Sequence, residues 1–300
     1  MLDNPSPSLF FGLSLTALIA YSLQYTLVAS FYRQMDRLSA VAYRGVSLGI
    51  TMAPLLLFVP FKDQEDLAKL APMMLVASII TTVGNWCAAN AVAYLSVGVS
   101  NALSMSFVTV TAVLLGFAAL GEVLSPIQLG LIAATLLGVV GLGLAKSKDA
   151  LIDKQHATKG LLQSVLAGVF LGIGFVMVAS ASRKYHPFLV GYVWEFTIGL
   201  IAVLMCWMRK LQRGPGLEPV SLKKFTRLAL YCAPTAVGTG AYAAATTIGP
   251  VGIATAIVCT MMVCTTLLAR VMYKERLSRP QWAFLLVVCG LVAALRYFSD

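Results

Sequence analysis

Of the 300 residues, 59% are hydrophobic and only 11% charged, with a net charge of +10 at pH 7 and a mean hydropathy of +0.85. An ordinary soluble domain is about a quarter charged, and no soluble core could hide this much apolar surface. The composition excludes a pair of soluble domains and points to an all-α, multi-pass membrane protein whose solvent is the lipid bilayer. The basic residues are scattered over short loops without an aromatic-basic groove, so no nucleic-acid partner is expected. A positive-inside bias accounts for them.

A helix needs roughly 20 apolar residues to cross the hydrocarbon core. Ten runs of about that length follow one another: 9–30, 39–60, 70–92, 97–119, 126–145, 160–181, 188–208, 225–247, 251–270 and 280–298. The N-terminus, MLDNPSPS, has no basic region of the kind that opens a signal peptide, so the first run reads as a retained helix. Pro72, Pro126, Pro187 and Pro280 stand near run starts, where a missing N–H costs little. Pro54 and Pro234 fall inside runs and predict kinks. The six cysteines lie in or beside apolar runs without a CxxC pair and read as small apolar filler.

The most informative feature is an internal repeat. Glu122-Val-Leu-Ser125-Pro-Ile-Gln128 precedes the fifth run, and Glu275-Arg-Leu-Ser278-Arg-Pro-Gln281 precedes the tenth. Val97-Gly98-Val99 opens the fourth run as Val251-Gly252-Ile253 opens the ninth. The offsets are 153 and 154 residues, so one five-helix unit is used twice. The units are residues 1–145 and 160–300, joined by a loop at 146–159. Because five is odd, the second unit must enter the membrane from the opposite face, giving two inverted repeats. Many secondary transporters are built this way, with substrate bound near the midplane between the halves.

The repeated Ser-x-x-Gln is a capping box: the serine hydroxyl accepts from the N3 amide while the glutamine reaches back to the N-cap amide. Ser125, Gln128, Ser278 and Gln281 therefore read as structural caps, with Glu122 and Glu275 bracing the preceding turn. With ten spans, sixteen basic residues fall in loops 1–2, 5–6, 7–8 and 9–10, and five fall on the side of both termini. The charge rule places the sixteen in the cytoplasm and the termini outside. A bacterial inner membrane is the expected location.

Ten runs, a five-plus-five repeat and Glu-x-Leu-Ser-x-x-Gln at the same junction of each half resemble the drug/metabolite transporter superfamily, and most of all its EamA-type ten-helix exporters. The resemblance covers almost the whole chain. It implies an alternating-access carrier with a central cavity for amino acids, amphipathic drugs or other small metabolites. It also implies cytoplasmic termini, against the charge count. Members usually carry a proline within helices four and nine, whereas 100–119 and 251–270 contain none, so the bend there should differ.

Charges inside a span cost several kcal/mol unless they face a cavity or a partner. Arg44 lies about five residues into the second run and Glu195 about seven into the seventh, with depths counted from opposite faces. At 1.5 Å per residue and a core of roughly 30 Å, they should sit about 11 Å apart along the normal. A direct pair then needs long side chains or tilt. Arg44 reads either as snorkelling to the headgroups or as an anion contact or gate. Glu195 is too short to snorkel, and burial disfavours its charged form. It reads either as a hydrogen-bonded structural carboxylate or as the group that binds a substrate amine or exchanges a driving proton.

Tyr21, Gln24, Asn85, Trp86, Asn101 and Tyr242 are the uncharged candidates for the cavity wall, since buried amides and hydroxyls must turn away from lipid. Phosphorylated substrates would want several convergent Lys or Arg groups, which the spans lack, so an amino-acid-like zwitterion or a cationic amphipath fits better. The expected partners are that solute and the bilayer, with the protein a monomer or homodimer. No metal or cofactor is expected: His156 and His186 are isolated in loops, no HExxH is present, and no aspartate lies inside a span. Catalysis is therefore not expected. A channel for small metabolites is the nearest alternative.

Overall fold

A computed structural model describes residues 7–60, 66–95, 97–145, 157–273 and 278–298. Among these, eleven α-helices follow in chain order: α1 Pro7–Gln34, α2 Arg37–Met52, α3 Leu67–Tyr94, α4 Val97–Leu120, α5 Pro126–Ala145, α6 Ala157–Ser182, α7 Pro187–Leu211, α8 Leu222–Ile248, α9 Val251–Cys259, α10 Met261–Tyr273 and α11 Arg279–Tyr297. A 3-10 segment, Ala53–Phe58, continues α2. Six of the described helices are long and apolar enough to cross a membrane, and three shorter apolar ones lie at Pro126–Gly141, Val251–Thr265 and Trp282–Tyr297. The chain is a multi-pass integral membrane protein.

The expected boundaries shift where local chemistry differs from the apolar count. Helix α3 begins at Leu67, so Pro72 lies inside it. The second run leaves the α-conformation after Met52 because Pro54 cannot donate within a helix. By contrast, α8 runs through Pro234. The ninth run breaks into α9 and α10 at Thr260 without any proline. There the Thr260 N–H and hydroxyl both bond Ile257 O, at 3.0 and 2.6 Å, and Val263 N–H turns back to Thr260 O at 2.8 Å. A hydroxyl that competes for backbone in this way is a recognised cause of helix bending.

Contacts between the halves give the helix directions. Gly138 faces Val288 and Gly141 faces Phe284, while Gln128 Nε2 bonds Phe298 O at 3.2 Å. The partner number falls as the first rises, so α5 and α11 are antiparallel. Helices α2 and α7 are antiparallel too, with Gly45 against Gly199, Gly49 against Phe196, and Ser39 beside Cys206. Helix α4 runs parallel to α6: Ser100 meets Ser164, and Gly168 and Gly172 lie under the carbonyls of Ser104 and Val108. These directions fit two five-helix units of opposite sense.

Gly45 and Gly199 are equivalent positions of the repeat, and they meet each other. A Cβ on Gly45 would stand 2.3 Å from the Cα of Gly199. Two backbones can approach this closely only where both residues lack side chains, as at small-residue crossings in membranes. Gly84 and Gly238, also one repeat apart, each sit against the opposite unit, packed on Leu171 and Tyr21 respectively.

Candidate functional site

The central cavity lies between the halves and has a volume of about 90 Å³. Its lining comes from both units: Tyr21, Gln24, Tyr25 and Tyr32 of α1, Arg44 of α2, Thr81 and Asn85 of α3, and Asn101, Ser104 and Met105 of α4. The second unit supplies Leu171 and Phe175 of α6, Trp194, Glu195 and Ile198 of α7, Val258 of α9 and Met261 of α10. The lining reaches Tyr32 and Val92, each two residues from the C-terminal end of its helix. The cavity therefore extends toward the end of the bundle that carries loops 1–2 and 7–8.

At its heart Arg44 and Glu195 form a direct ion pair. Nη1 lies 3.1 Å from Oε2 and Nη2 donates to Oε1 at 3.2 Å, with side chains only 9% and 3% exposed. Arg44 does not snorkel, and the 11 Å separation expected from depth is not found. The glycine crossing supplies the reason. With Gly45 opposite Gly199, Glu195 lies about five residues beyond the point on α7 facing Arg44, roughly 7 Å of helix rise, which one extended arginine side chain spans.

The pair continues into a hydroxyl chain. The Thr239 hydroxyl donates to Glu195 Oε1 at 3.0 Å, and Tyr21 Oη stands 3.1 Å from Thr239 Oγ1. Because Thr239 spends its proton on the carboxylate, the tyrosine donates to Thr239. Four helices from both halves thus meet at one buried carboxylate. Buried ion pairs are costly unless the remaining lone pairs are satisfied; here Glu195 Oε1 takes both hydrogen bonds, and Oε2 has only its 3.1 Å ion contact with Arg44 Nη1.

Aromatic rings close the cavity on the other side. Phe175 packs edge-on against Tyr21, Trp194 and Tyr242, with the Tyr242 centroid 4.6 Å away. Trp194 Nε1 donates to Thr81 Oγ1 at 3.2 Å and Asn85 Nδ2 donates to Thr81 O at 3.0 Å.

Tyr21, Gln24, Asn85, Asn101, Glu195 and Arg44 are brought together on the wall. Two proposed wall residues are not. Trp86 is 39% exposed and faces outward, because it lies one residue beyond Asn85, about 100° around the helix. Tyr242 is fully buried behind Phe175 and does not line the space. Sequence reasoning missed Tyr32, Phe175 and Trp194 as wall residues. Trp194 carried a readable signal, since it precedes the buried Glu195 and its indole N–H needs a partner.

Ser125 and Gln128 make the reciprocal cap: Ser125 N–H donates to Gln128 Oε1 at 2.9 Å, and Gln128 N–H donates to Ser125 Oγ at 3.2 Å. Glu122 does not brace its own turn. Gly121, at φ +67°, ends α4 in the left-handed conformation, and the Glu122 carboxylate turns across to the second unit. There it accepts the Val251 N–H at 2.9 and 3.0 Å and pairs with Arg183. That arrangement suits the positive end of α9. Arg183 Nε also donates to Thr246 O at 3.1 Å. Glu275 and the side chain of Gln281 lie outside the described residues, and Ser278 is exposed.

The two ends of the bundle carry different ties. At the basic end Asp36 caps α2 through Ser39 and grips the Arg209 guanidinium with both oxygens, at 3.0 and 2.7 Å. Burial works against the charged carboxylate, but the hydrogen bonds from Arg209 and Ser39 together hold it below the ordinary range. Glu122, Arg183 and Val251 tie the opposite end, where Arg296 also bonds Ser8 Oγ at 3.1 Å.

The EamA-like transporter family model matches residues 9–144 and again 158–296, one match to each unit. None of the curated proteins compared with the chain matches it significantly. Among solved structures, 27 chains match. One of them, described only as "Crystal structure of protein", is 16% identical with a TM-score of 0.74, over 98% of this chain and 97% of its own. That likeness extends the fold over the full length. With two family matches laid end to end and a central cavity lined from both units, the chain belongs to the EamA-like transporter family and is a membrane transporter of the drug/metabolite superfamily.

Proposed function

We propose that the protein is a secondary active transporter that carries a small amphipathic, amino-acid-like solute across a bacterial inner membrane by alternating access. The ten sequence runs are its spans, and the loops rich in Lys and Arg lie in the cytoplasm. The observation that carries this reading is the Arg44–Glu195 pair set in the wall of a cavity between two inverted units. The pair neutralises itself when the cavity is unliganded. A zwitterion can replace each partner with its own opposite charge, so both residues exchange one contact for another. Arg44 is the only basic residue among the described lining residues, which disfavours phosphorylated solutes, because these want convergent cations. Around the pair, Tyr21, Phe175 and Trp194 offer apolar faces for the rest of the solute.

The test is counterflow in proteoliposomes across a panel of amino acids and cationic amphipaths, with and without a pH gradient. Saturable exchange that Glu195→Gln abolishes supports the reading, whereas exchange that survives in that variant but no longer responds to the pH gradient assigns the driving proton to Glu195. Non-saturable flux through the purified protein would favour a channel instead.

A further inference from the structure

The walls of the cavity are not chemically equivalent, although the helices that build them are repeat counterparts. On α4, Asn101 is 1% exposed and Ser104 3% exposed, and both line the cavity. Neither Oδ1 nor Nδ2 of Asn101 has a hydrogen-bond partner, nor has the Ser104 hydroxyl. One repeat along, Ser104 corresponds to Val258 of α9, which lines the same cavity without a polar atom. At the same offset Asn101 corresponds to Thr255, whose hydroxyl is spent on Val251 O and Gly252 O.

Several other polar side chains of the wall have partners within the protein, as Tyr21 has in Thr239 and Trp194 in Thr81. Arg44 and Glu195 hold each other, and Asn85 donates to Thr81 O. A buried amide without partners costs about 1–3 kcal/mol. A carrier tolerates that cost where a passing solute, at each turnover, supplies the missing partners.

We propose that Asn101 and Ser104 form a second binding pole on α4 for a neutral solute group that both donates and accepts a hydrogen bond, such as a carboxamide or an alcohol. This rests on the transporter reading above and narrows its substrate class. The Arg44–Glu195 pair takes the charged ends of the zwitterion, and α4 selects its side group. Asn101 presents a donor and an acceptor side by side, matching a carboxamide two for two, while Ser104 one turn on adds a rotatable hydroxyl. Val258 and Met261 of the second unit face the same space as apolar surface, so the solute is bound in one orientation. Loss of symmetry between equivalent helices is what fixes that orientation.

The experiment is counterflow by the purified full chain in proteoliposomes, with L-glutamine and L-homoserine against L-norleucine and L-methionine as probes. Wild type should take the first two with a KM about tenfold or more below that of the second two, because a site built to hydrogen-bond a group rejects analogues lacking it. Asn101→Leu, which keeps the branched outline without the amide, should erase that preference while still carrying L-norleucine. Ser104→Ala, which removes only a hydroxyl, should narrow it. An unchanged preference in both variants overturns the second pole and leaves the transporter reading standing. An equal fall for all four probes, with thermal melting as in wild type, does the same. No counterflow of any probe by wild type overturns the transporter reading and this inference with it.

Discussion

Among the described residues, two Glu–Arg pairs join the halves of the molecule, and they differ in where they stand. Arg44–Glu195 lies in the middle of the bundle with both side chains almost fully buried. Glu122–Arg183 lies at the rim, with the Arg183 side chain 30% exposed. The inner carboxylate is served by side chains, Arg44 and Thr239. The outer one is served largely by backbone, the Val251 N–H, and its arginine reaches further carbonyls at Thr246 and Gly249. Side-chain partners can be exchanged for a solute, whereas a helix N-terminus has nowhere else to go. On the proposed function, the inner pair binds and the outer one fastens.

The largest effects should come from breaking the inner pair one-sidedly. Glu195→Gln leaves the Arg44 charge buried without its counter-ion, a loss of about 3–5 kcal/mol, and it should abolish counterflow. The double change Arg44→Met with Glu195→Leu separates the two consequences. Replacing both charges by apolar groups is often neutral for stability, so this protein should melt near wild type yet carry no zwitterion. Restored transport in the double variant would remove the inner pair from the site.

Next in size is the crossing that brings the inner pair together. Gly199→Ala places a methyl against the Gly45 backbone, at 2.5–2.8 Å, and should cost about 1–3 kcal/mol by overpacking. Transport should fall with it, because Arg44 and Glu195 move apart. Normal melting and normal transport would show that the two backbones can separate without penalty to the site.

The outer pair should respond more mildly. Glu122→Gln keeps an acceptor for Val251 N–H but loses the charge facing Arg183 and the positive end of α9. A loss of about 1 kcal/mol is expected, with a changed turnover rate and an unchanged KM. A KM shift as large as that of an inner-pair variant would contradict the division of roles.

The smallest effect is the pH response of the basic end. The folded-state pKa of Asp36 is lowered, so its contribution is present above the ordinary carboxylate value of 3.8 and is lost as pH falls below it through the folded value. Melting of wild type should weaken over that acid window, and Asp36→Asn should flatten this part of the profile while keeping the cap on Ser39. An identical acid profile in Asp36→Asn would place the sensitivity elsewhere.

Much of the fold was legible before any coordinates. Apolar runs located the helices, Ser125 and Gln128 marked the start of α5 to the residue, and the two copies of Glu-x-Leu-Ser-x-x-Gln disclosed the repeat. Arg44 and Glu195 stood out because charges in apolar runs are costly. Their contact did not, since depth counting assumes straight helices normal to the membrane and says nothing of where two helices cross. Gly45 and Gly199 are equivalent positions of the repeat, but nothing in the pattern says that they meet. Trp86 was misplaced because a polar residue beside Asn85 lies on a neighbouring face, and pattern alone does not say which face turns inward. The break at Thr260 was invisible because a hydroxyl, not a proline, makes it. The reach of Glu122 to Arg183 and Val251 is long-range and depends on the left-handed turn at Gly121.

The account rests on one cavity that opens to each membrane face in turn. The most direct measurement is impermeant-maleimide labelling of a single cysteine at Met105, a lining residue of α4, in a chain with its six native cysteines replaced. The account predicts rapid labelling from the face of the basic loops without solute, and a growing rate from the opposite face once a transported amino acid is supplied. Equal labelling from both faces at all times, with or without solute, would contradict it.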